Sequence, residues 1–286
     1  MSISVLIITH NEATNISSCI QSLDWTDDII VLDSYSSDDT LSIAKNLGAK
    51  VYQRKFDNFA SQRNYALDNF KFKYDWVLHI DADEIVTPEL FGEMSKAINL
   101  NNFDAYQIPS KMMLFNKWLK YSGMYPVYQV RLGRKNQLRF KQVGHGQREN
   151  LPQSLIGTLK EGYLHYSFSK GFAHWFYKHN LYSTSEALEF LEKKNKFTLI
   201  DWVSIFSINH TSRRRALKKF SYLFPFRPLQ RFIYMYFFRL GFLDGYSGLV
   251  YCRLLAMYEY MIELKIRELK SYNKSEKINK DIIKKF

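Results

Sequence analysis

The sequence predicts an α/β protein with a mostly parallel sheet flanked by helices, followed by a helical, basic C-terminal region. Three observations predict it. Apolar runs of strand length alternate with helix-period segments over the first hundred residues; acids and hydroxyl residues gather where those runs stop; and lysines and arginines crowd into the last quarter.

Ile3 to Thr9 reads as a buried first strand. Ile16, Cys19, Ile20 and Leu23 fall at i, i+3, i+4 and i+7, one face of a helix that Asn11 or Thr14 can cap. Ile29 to Leu32 is a second strand ending at Asp33. Ser36 or Ser37 can cap the next helix, with Leu41, Ala44 and Leu47 inward and Gly48 as its stop. A short strand at Lys50–Tyr52 follows, then a helix from Phe59 to Phe70, a strand from Trp76 to Ile80, and a helix from Pro88 to about Asn99. From Asp104 to Tyr166 the pattern turns irregular and aromatic. Ala105 to Pro109 reads as a strand, Val143 to Glu149 as a loop, Leu159 to Phe168 as holding a last short strand, and Trp175 to Phe197 as a helix. The expected division is a catalytic domain over 1–210, with a donor half over about 1–110 and an acceptor half over about 104–210, and a C-terminal region over 211–286.

Composition narrows the class. The chain has 286 residues, 46% hydrophobic, with 6 prolines, so it is globular. Its two cysteines, Cys19 and Cys252, sit inside apolar patterns and read as packing residues of a reducing compartment. The N-terminus has no basic n-region or cleavage site, which points to a cytoplasmic protein. Net charge is +12, and its placement is uneven: residues 1–210 hold 23 Lys+Arg against 22 Asp+Glu, whereas 211–286 hold 17 against 6. A neutral body with a basic end argues for an end that meets an anionic surface. Residues 213–240 mix Arg and Lys with Phe and Tyr, the composition of an interfacial helix on the inner face of a membrane. No uninterrupted apolar run of spanning length occurs.

The chemistry concentrates at Asp81-Ala82-Asp83-Glu84, directly after the apolar Trp76–Ile80 run. In open α/β sheets, ligands lie beyond the carboxyl ends of the strands. Two carboxylates one residue apart are costly to hold together without a cation between them, and oxygen ligands suit Mg²⁺ or Mn²⁺. An acidic turn leading into a helix at Pro88 is the simpler alternative.

Four markers occur in order: Thr9-His10-Asn11-Glu12 after the first strand, Asp33-Ser34-Tyr35-Ser36-Ser37-Asp38-Asp39-Thr40 after the second, Gln62-Arg63-Asn64 on the third helix, and Asp81-Ala82-Asp83 after the fourth strand. With these, the chain resembles the family 2 glycosyltransferases of the GT-A fold, specifically over about residues 1–110. From Gly144 onward it resembles the bacterial subgroup that builds lipopolysaccharide core or exopolysaccharide, including β-1,4-glucosyltransferases. The resemblance implies an inverting, metal-dependent transfer of a hexose from a nucleotide diphosphate sugar, most naturally a UDP-sugar, to a lipid-linked or lipopolysaccharide-type glycan. It implies that Thr9, Asn11, Glu12, Asp33 and Ser36 hold the nucleoside. Arg63 then lies near the phosphates or braces the acidic loop, Asp81 meets the ribose or the metal, and Asp83 binds Mn²⁺ or Mg²⁺. Glu149 is the expected base, with Asp104 as second candidate. His145 or His165 is a candidate extra metal ligand, and Lys178 or His179 a candidate contact for acceptor phosphate. Asp38 reads equally as an ordinary first-turn acid.

Two other classes fit less well. A sugar nucleotidyltransferase needs a Gly-rich basic loop after the first strand, where this chain has Thr-His-Asn-Glu. A nucleic-acid-binding protein relying on the basic end is disfavoured by a near-neutral body with an acidic cleft.

Overall fold

The structure is a computed structural model and describes residues 2–143, 146–192, 202–204, 216 and 226–274. Gly144, His145, the boundary expected near 210 and most of the basic run 213–225 lie outside the described residues. Residues Met1–Ser169 and Lys170–Phe286 form two compact units.

In the first unit, β1 (Ile3–Thr9) is buried along its whole length, because both faces of the sheet are covered. It is followed by α1 (Ile16–Gln21), β2 (Ile29–Asp33), α2 (Thr40–Asn46), β3 (Lys50–Gln53), α3 (Phe59–Asn69), β4 (Trp76–Asp81), β5 (Glu84–Ile85) and α4 (Pro88–Leu100). The chain then forms β6 (Ala105–Leu114), β7 (Lys117–Trp118), β8 (Tyr128–Arg134), β9 (Phe140–Val143), β10 (Gly146–Glu149), β11 (Ile156–Thr158) and β12 (Tyr163–His165). The order across the main sheet is β3-β2-β1-β4-β8-β6-β12-β5. The four strands β3-β2-β1-β4 run parallel, as the alternation predicts. β8 enters antiparallel between β4 and β6, and β12 runs parallel to β6.

Period-two alternation splits the apolar residues onto two faces. Ile3, Val5, Ile7, Leu78 and Ile80 pack with Ile16, Cys19 and Ile20 of α1, Ala44 of α2, and Leu90, Met94 and Ile98 of α4. Leu6, Ile8, Ile30, Leu32 and Val77 pack on the other side with Ala60, Ala66 and Leu67 of α3 and with Phe140. The structure corrects four local expectations. Asn15 precedes α1 and Asp39 precedes α2, neither with a side-chain cap bond. Leu47 is exposed, because the chain turns at Gly48 (φ +83) before that face returns to the core. Val143–Glu149 is not an open loop: β9 and β10 pair antiparallel, with Glu149 opposite Phe140.

One buried acid ties the strand starts together. Asp28 accepts hydrogen bonds from Ser4 Oγ at 2.6 Å, Lys73 N at 2.7 Å and Lys50 Nζ at 2.9 Å. Burial alone would raise its pKa; the Ser4, Lys50 and Lys73 bonds outweigh that and hold it below the ordinary aspartate value. A depressed carboxyl pKa contributes stability that is present above the unfolded pKa and lost as pH falls through the folded one. Asp28→Ala is therefore expected to cost about 2–3 kcal/mol at pH 7. In thermal melts from pH 7 to pH 2.5, the gap from wild type should narrow below about pH 4; a gap constant across that range would contradict this.

The second unit comprises α5 (Gly171–Glu192), α6 (Arg227–Ile233) running on as a π-helical turn over Tyr234–Phe238, a 3₁₀ turn at Gly241–Asp244, and α7 (Gly245–Lys274). Leu240 in the left-handed region (φ 59) and Gly245 (φ 64) flank this 3₁₀ turn and break the helical path before α7. Ala187 of α5 packs against Ile262 and Ile266 of α7. Lys265 Nζ donates to Asn180 Oδ1 at 2.7 Å, and Arg227 Nη2 donates to Glu259 Oε2 at 2.6 Å, fixing α5 and α6 to α7. No described helix is long and apolar enough to cross a membrane. Cys19 and Cys252 are free and buried.

Candidate active site

The turns after β1 and β2 hold each other. Thr9 Oγ1 donates to Asp33 Oδ1 at 2.9 Å, Ser36 N donates to Asp33 Oδ2 at 2.8 Å, and Gln53 Nε2 donates to Oδ2 at 3.3 Å. The Ser36 hydroxyl also bonds Asp33. Asn11 N donates to Ser36 Oγ at 2.7 Å, and Ser37 N donates to Asn11 Oδ1 at 2.8 Å. Glu12 N donates to Thr40 Oγ1 at 2.8 Å and Ala13 N to Asp38 Oδ2 at 3.1 Å. Thr9, Asn11, Glu12, Asp33 and Ser36 thus come together in the two turns. Asp33 is fully enclosed, and its carboxylate is engaged by protein donors. It shapes the loop, leaving main chain and the exposed Tyr35 (φ 59) at the rim.

At the end of β4, Asp81 stands between two guanidinium groups. Arg63 Nη2 donates to Oδ1 at 2.7 Å and Arg131 Nη2 donates to Oδ2 at 2.9 Å. Arg131 Nη2 also donates to Glu84 Oε1 at 2.6 Å, and Glu84 Oε2 accepts from Asp81 N at 2.9 Å. Arg63 and Arg131 are only 1% and 3% exposed. Burial would raise the Asp81 pKa, but Arg131 and Arg63 overrule it and hold the carboxyl well below its usual range. Glu84, more deeply enclosed, is pushed up to about 7 by burial, against the pull of Arg131. α3 is fastened beside this network: Asn64 Nδ2 donates to Phe140 O at 2.8 Å, and Phe140 N donates to Asn64 Oδ1 at 2.9 Å. The Phe140 ring lies 5.8 Å from the Arg63 guanidinium.

Asp83 is the carboxylate left open by this arrangement. β12 pairs antiparallel with β5, setting His165 opposite Glu84, and this places His165 Nε2 at 3.4 Å from Asp83 Oδ2. Their side chains are 29% and 25% exposed. Tyr166 N donates to Asp83 O at 2.8 Å and holds the loop to β12. Burial disfavours charge on His165, but its hydrogen bond to Asp83 raises the pKa to about 8. A carboxylate oxygen and an imidazole nitrogen at one opening suit Mn²⁺ and leave its other positions to substrate oxygens and water. Among the described residues, no group of three or more His, Cys, Asp or Glu is poised around a metal position.

The remaining candidates fall as follows. Glu149 is partly buried and pairs across the hairpin with buried Phe140; cross-strand partners share a face, so Glu149 shares the inward-facing side. Asp104 precedes β6, beside Arg134 (3.5 Å), which pairs with Trp76 at the opposite end of β4 from Asp81. His179 Nδ1 bonds Trp175 O at 2.8 Å and its ring stacks on Trp175 at 3.7 Å, so it is occupied within its own helix. Lys178 is exposed. Sequence reasoning missed Arg131 and Glu84. The signal for Arg131 was its place between the apolar Val130 and Leu132; in the structure it lies in a run of four buried residues, Val130 to Gly133, on a strand with a neighbour on each side.

A sheet of this kind, with acids and hydroxyls at its carboxyl edge, defines the α/β proteins that bind ligands in the crevice beyond their strands. Comparison with known proteins gives the family. The family model for glycosyl transferase family 2 matches residues 4–149, just over half of the chain, and the chain belongs to that family. An uncharacterized glycosyltransferase of Rickettsia conorii is 42% identical over 115 residues, spanning 39% of this chain and 40% of that protein. One from Rickettsia typhi is 28% identical over 280 residues, 93% of this chain and 87% of that protein. Among solved structures, S. aureus TarS 1–349 in complex with UDP aligns at 17% identity and a TM-score of 0.45, over 98% of this chain and 93% of that one.

Proposed function

We propose that this family 2 member is an inverting, metal-dependent glycosyltransferase that moves a hexose from a UDP-sugar to a hydroxyl of a lipid-linked or lipopolysaccharide-type glycan. The observation that carries this reading is the open Asp83–His165 pair at 3.4 Å, beside an Asp81 already neutralised by two arginines. Asp83 and His165 would hold Mn²⁺ or Mg²⁺, which when bound neutralises charge developing on the departing diphosphate.

The chain's own residues do the rest. The Thr9–Glu12 turn and the Ser36 loop cradle the nucleoside, with Asp33 setting their shape. Arg63 and Arg131 fix Asp81, and through it the loop that carries Asp83. Glu149 takes the proton of the acceptor hydroxyl as its oxygen attacks the anomeric carbon. The bond from that carbon to the phosphate oxygen breaks, its electron pair leaves with UDP, and the configuration inverts.

The test is a melting experiment. UDP with Mn²⁺ at about a hundred times its Kd should stabilise the protein by about 2.7 kcal/mol. RNA should not. Stabilisation by RNA alone would favour the nucleic-acid reading, and stabilisation by a nucleoside triphosphate but not by UDP would favour a nucleotidyltransferase.

The same proposal puts the acceptor at an anionic membrane surface on the cytoplasmic side, reached through residues 213–240. Supporting it, Phe226, Phe237 and Phe238 are more than half exposed on the segment that carries Arg231 and Arg239. Co-sedimentation with phosphatidylglycerol vesicles is expected at low salt and should weaken as salt rises. Binding to neutral phosphatidylcholine vesicles of equal strength would contradict the electrostatic part.

A further inference from the structure

Helix α7 is apolar on two sides. One side packs inside the second unit: Cys252, Leu254, Ile262 and Ile266 are buried, and the two isoleucines meet Ala187 of α5. The other side faces solvent. Tyr246, Val250, Arg253, Met257, Tyr260 and Leu264 follow one another at spacings of 4, 3, 4, 3 and 4, the rhythm of a coiled-coil seam. Met257, Tyr260 and Leu264 are 46%, 51% and 45% exposed, and Tyr246 is 73% exposed. A helix bordered by water turns charged and polar residues outward. Here the outward row is apolar except for Arg253, over a length of about 27 Å.

The row complements itself in one direction only. Paired in parallel, each residue meets its own copy, and Arg253 stands against Arg253, a like-charge contact. Paired antiparallel about a point midway between Met257 and Tyr260, Met257 meets Tyr260 and Arg253 meets Leu264, with Glu263 beside it. Val250 then meets the apolar stem of Arg267. Each Arg253 cation reaches an acid of the other copy. Such a contact is isologous and closes at two subunits.

An anionic bilayer is the other covering for an apolar row. Glu263 and the exposed Glu268 border the C-terminal half of this one, and anionic headgroups repel carboxylates.

We propose that α7 is a homodimer interface, in which the row from Tyr246 to Leu264 packs antiparallel on the same row of a second copy. The row lies beyond residues 213–240, and the pairing does not depend on the glycosyltransferase reading.

Sedimentation velocity of the full chain at micromolar concentrations should show a species of twice 34.0 kDa. Met257→Glu sets a charge against Tyr260 of the second copy without entering a core, because Met257 is half exposed. It should associate at least tenfold more weakly and keep wild-type helicity. Cross-linking reads the direction. Cys19 and Cys252 are buried, so an introduced surface cysteine is the reactive thiol. Under mild oxidation, Arg253→Cys mixed with Leu264→Cys should give a disulfide-linked dimer, and neither variant alone should. Arg253→Cys that cross-links to itself overturns the antiparallel register. A wild type that stays monomeric, or a Met257→Glu that dimerises as wild type does, overturns the interface. So does a monomer whose vesicle binding is lost in Met257→Glu, because the row then belongs to the bilayer.

Discussion

Asp83→Asn is expected to reduce turnover of a UDP-sugar by about 10³-fold while leaving the fold intact, because loss of a fixed charge at the developing leaving group is worth several kcal/mol. The side chain is partly exposed and its carboxylate faces only His165, so the amide does not strand a buried charge. The melting temperature without ligand should hold, and the increase produced by UDP with Mn²⁺ should vanish. His165→Ala should fall between wild type and Asp83→Asn, since one of the two proposed ligands remains. If Asp83→Asn kept the full UDP–Mn²⁺ stabilisation, the acidic loop would have no part in holding the nucleotide's metal.

This contrast between Asp81 and Asp83 separates what the sequence discloses from what it hides. The parallel half was legible because β1, β2 and β4 are buried on both faces and each reads as an apolar run ending in an acid or hydroxyl. That is enough to place Asp33 and Asp81 at strand ends and Arg63 on a helix. Nothing in Asp81-Ala82-Asp83 says which acid is free. That depends on Arg131, fifty residues away, which reaches Asp81 only because β8 inserts antiparallel against β4. An arginine inside Tyr128–Arg134 looks like the polar half of an edge strand until the sheet order puts a neighbour on each side of it. The same applies to the Gly146–Glu149 segment, whose glycine suggests a loop, whereas its pairing with β9 is fixed from outside by Asn64. His165 was one of two histidines on offer, and only the β5–β12 register brings it to Asp83.

Arg131→Met should be the most destabilising single change in the first unit. Methionine fills similar space, so the loss is electrostatic: Glu84, 1% exposed, loses the guanidinium that bonds it, and of the two guanidinium groups on Asp81 only Arg63 remains. Removing one partner of a buried ion pair costs about 3–5 kcal/mol, or about 10 °C in melting temperature for a unit of this size. Glu84→Gln removes the stranded charge while still accepting from Asp81 N. The double variant should therefore recover part of the loss, with a coupling of about 1–3 kcal/mol between the two sites. Additive effects in that cycle would mean that Arg131 stabilises the strand by packing over Tyr163, 5.4 Å away, and not by holding the acids. The recovered double variant also isolates catalysis from folding. If it is stable yet slow, the second guanidinium on Asp81 is what aims the loop carrying Asp83. If it is stable and fully active, Arg63 alone is sufficient for that task.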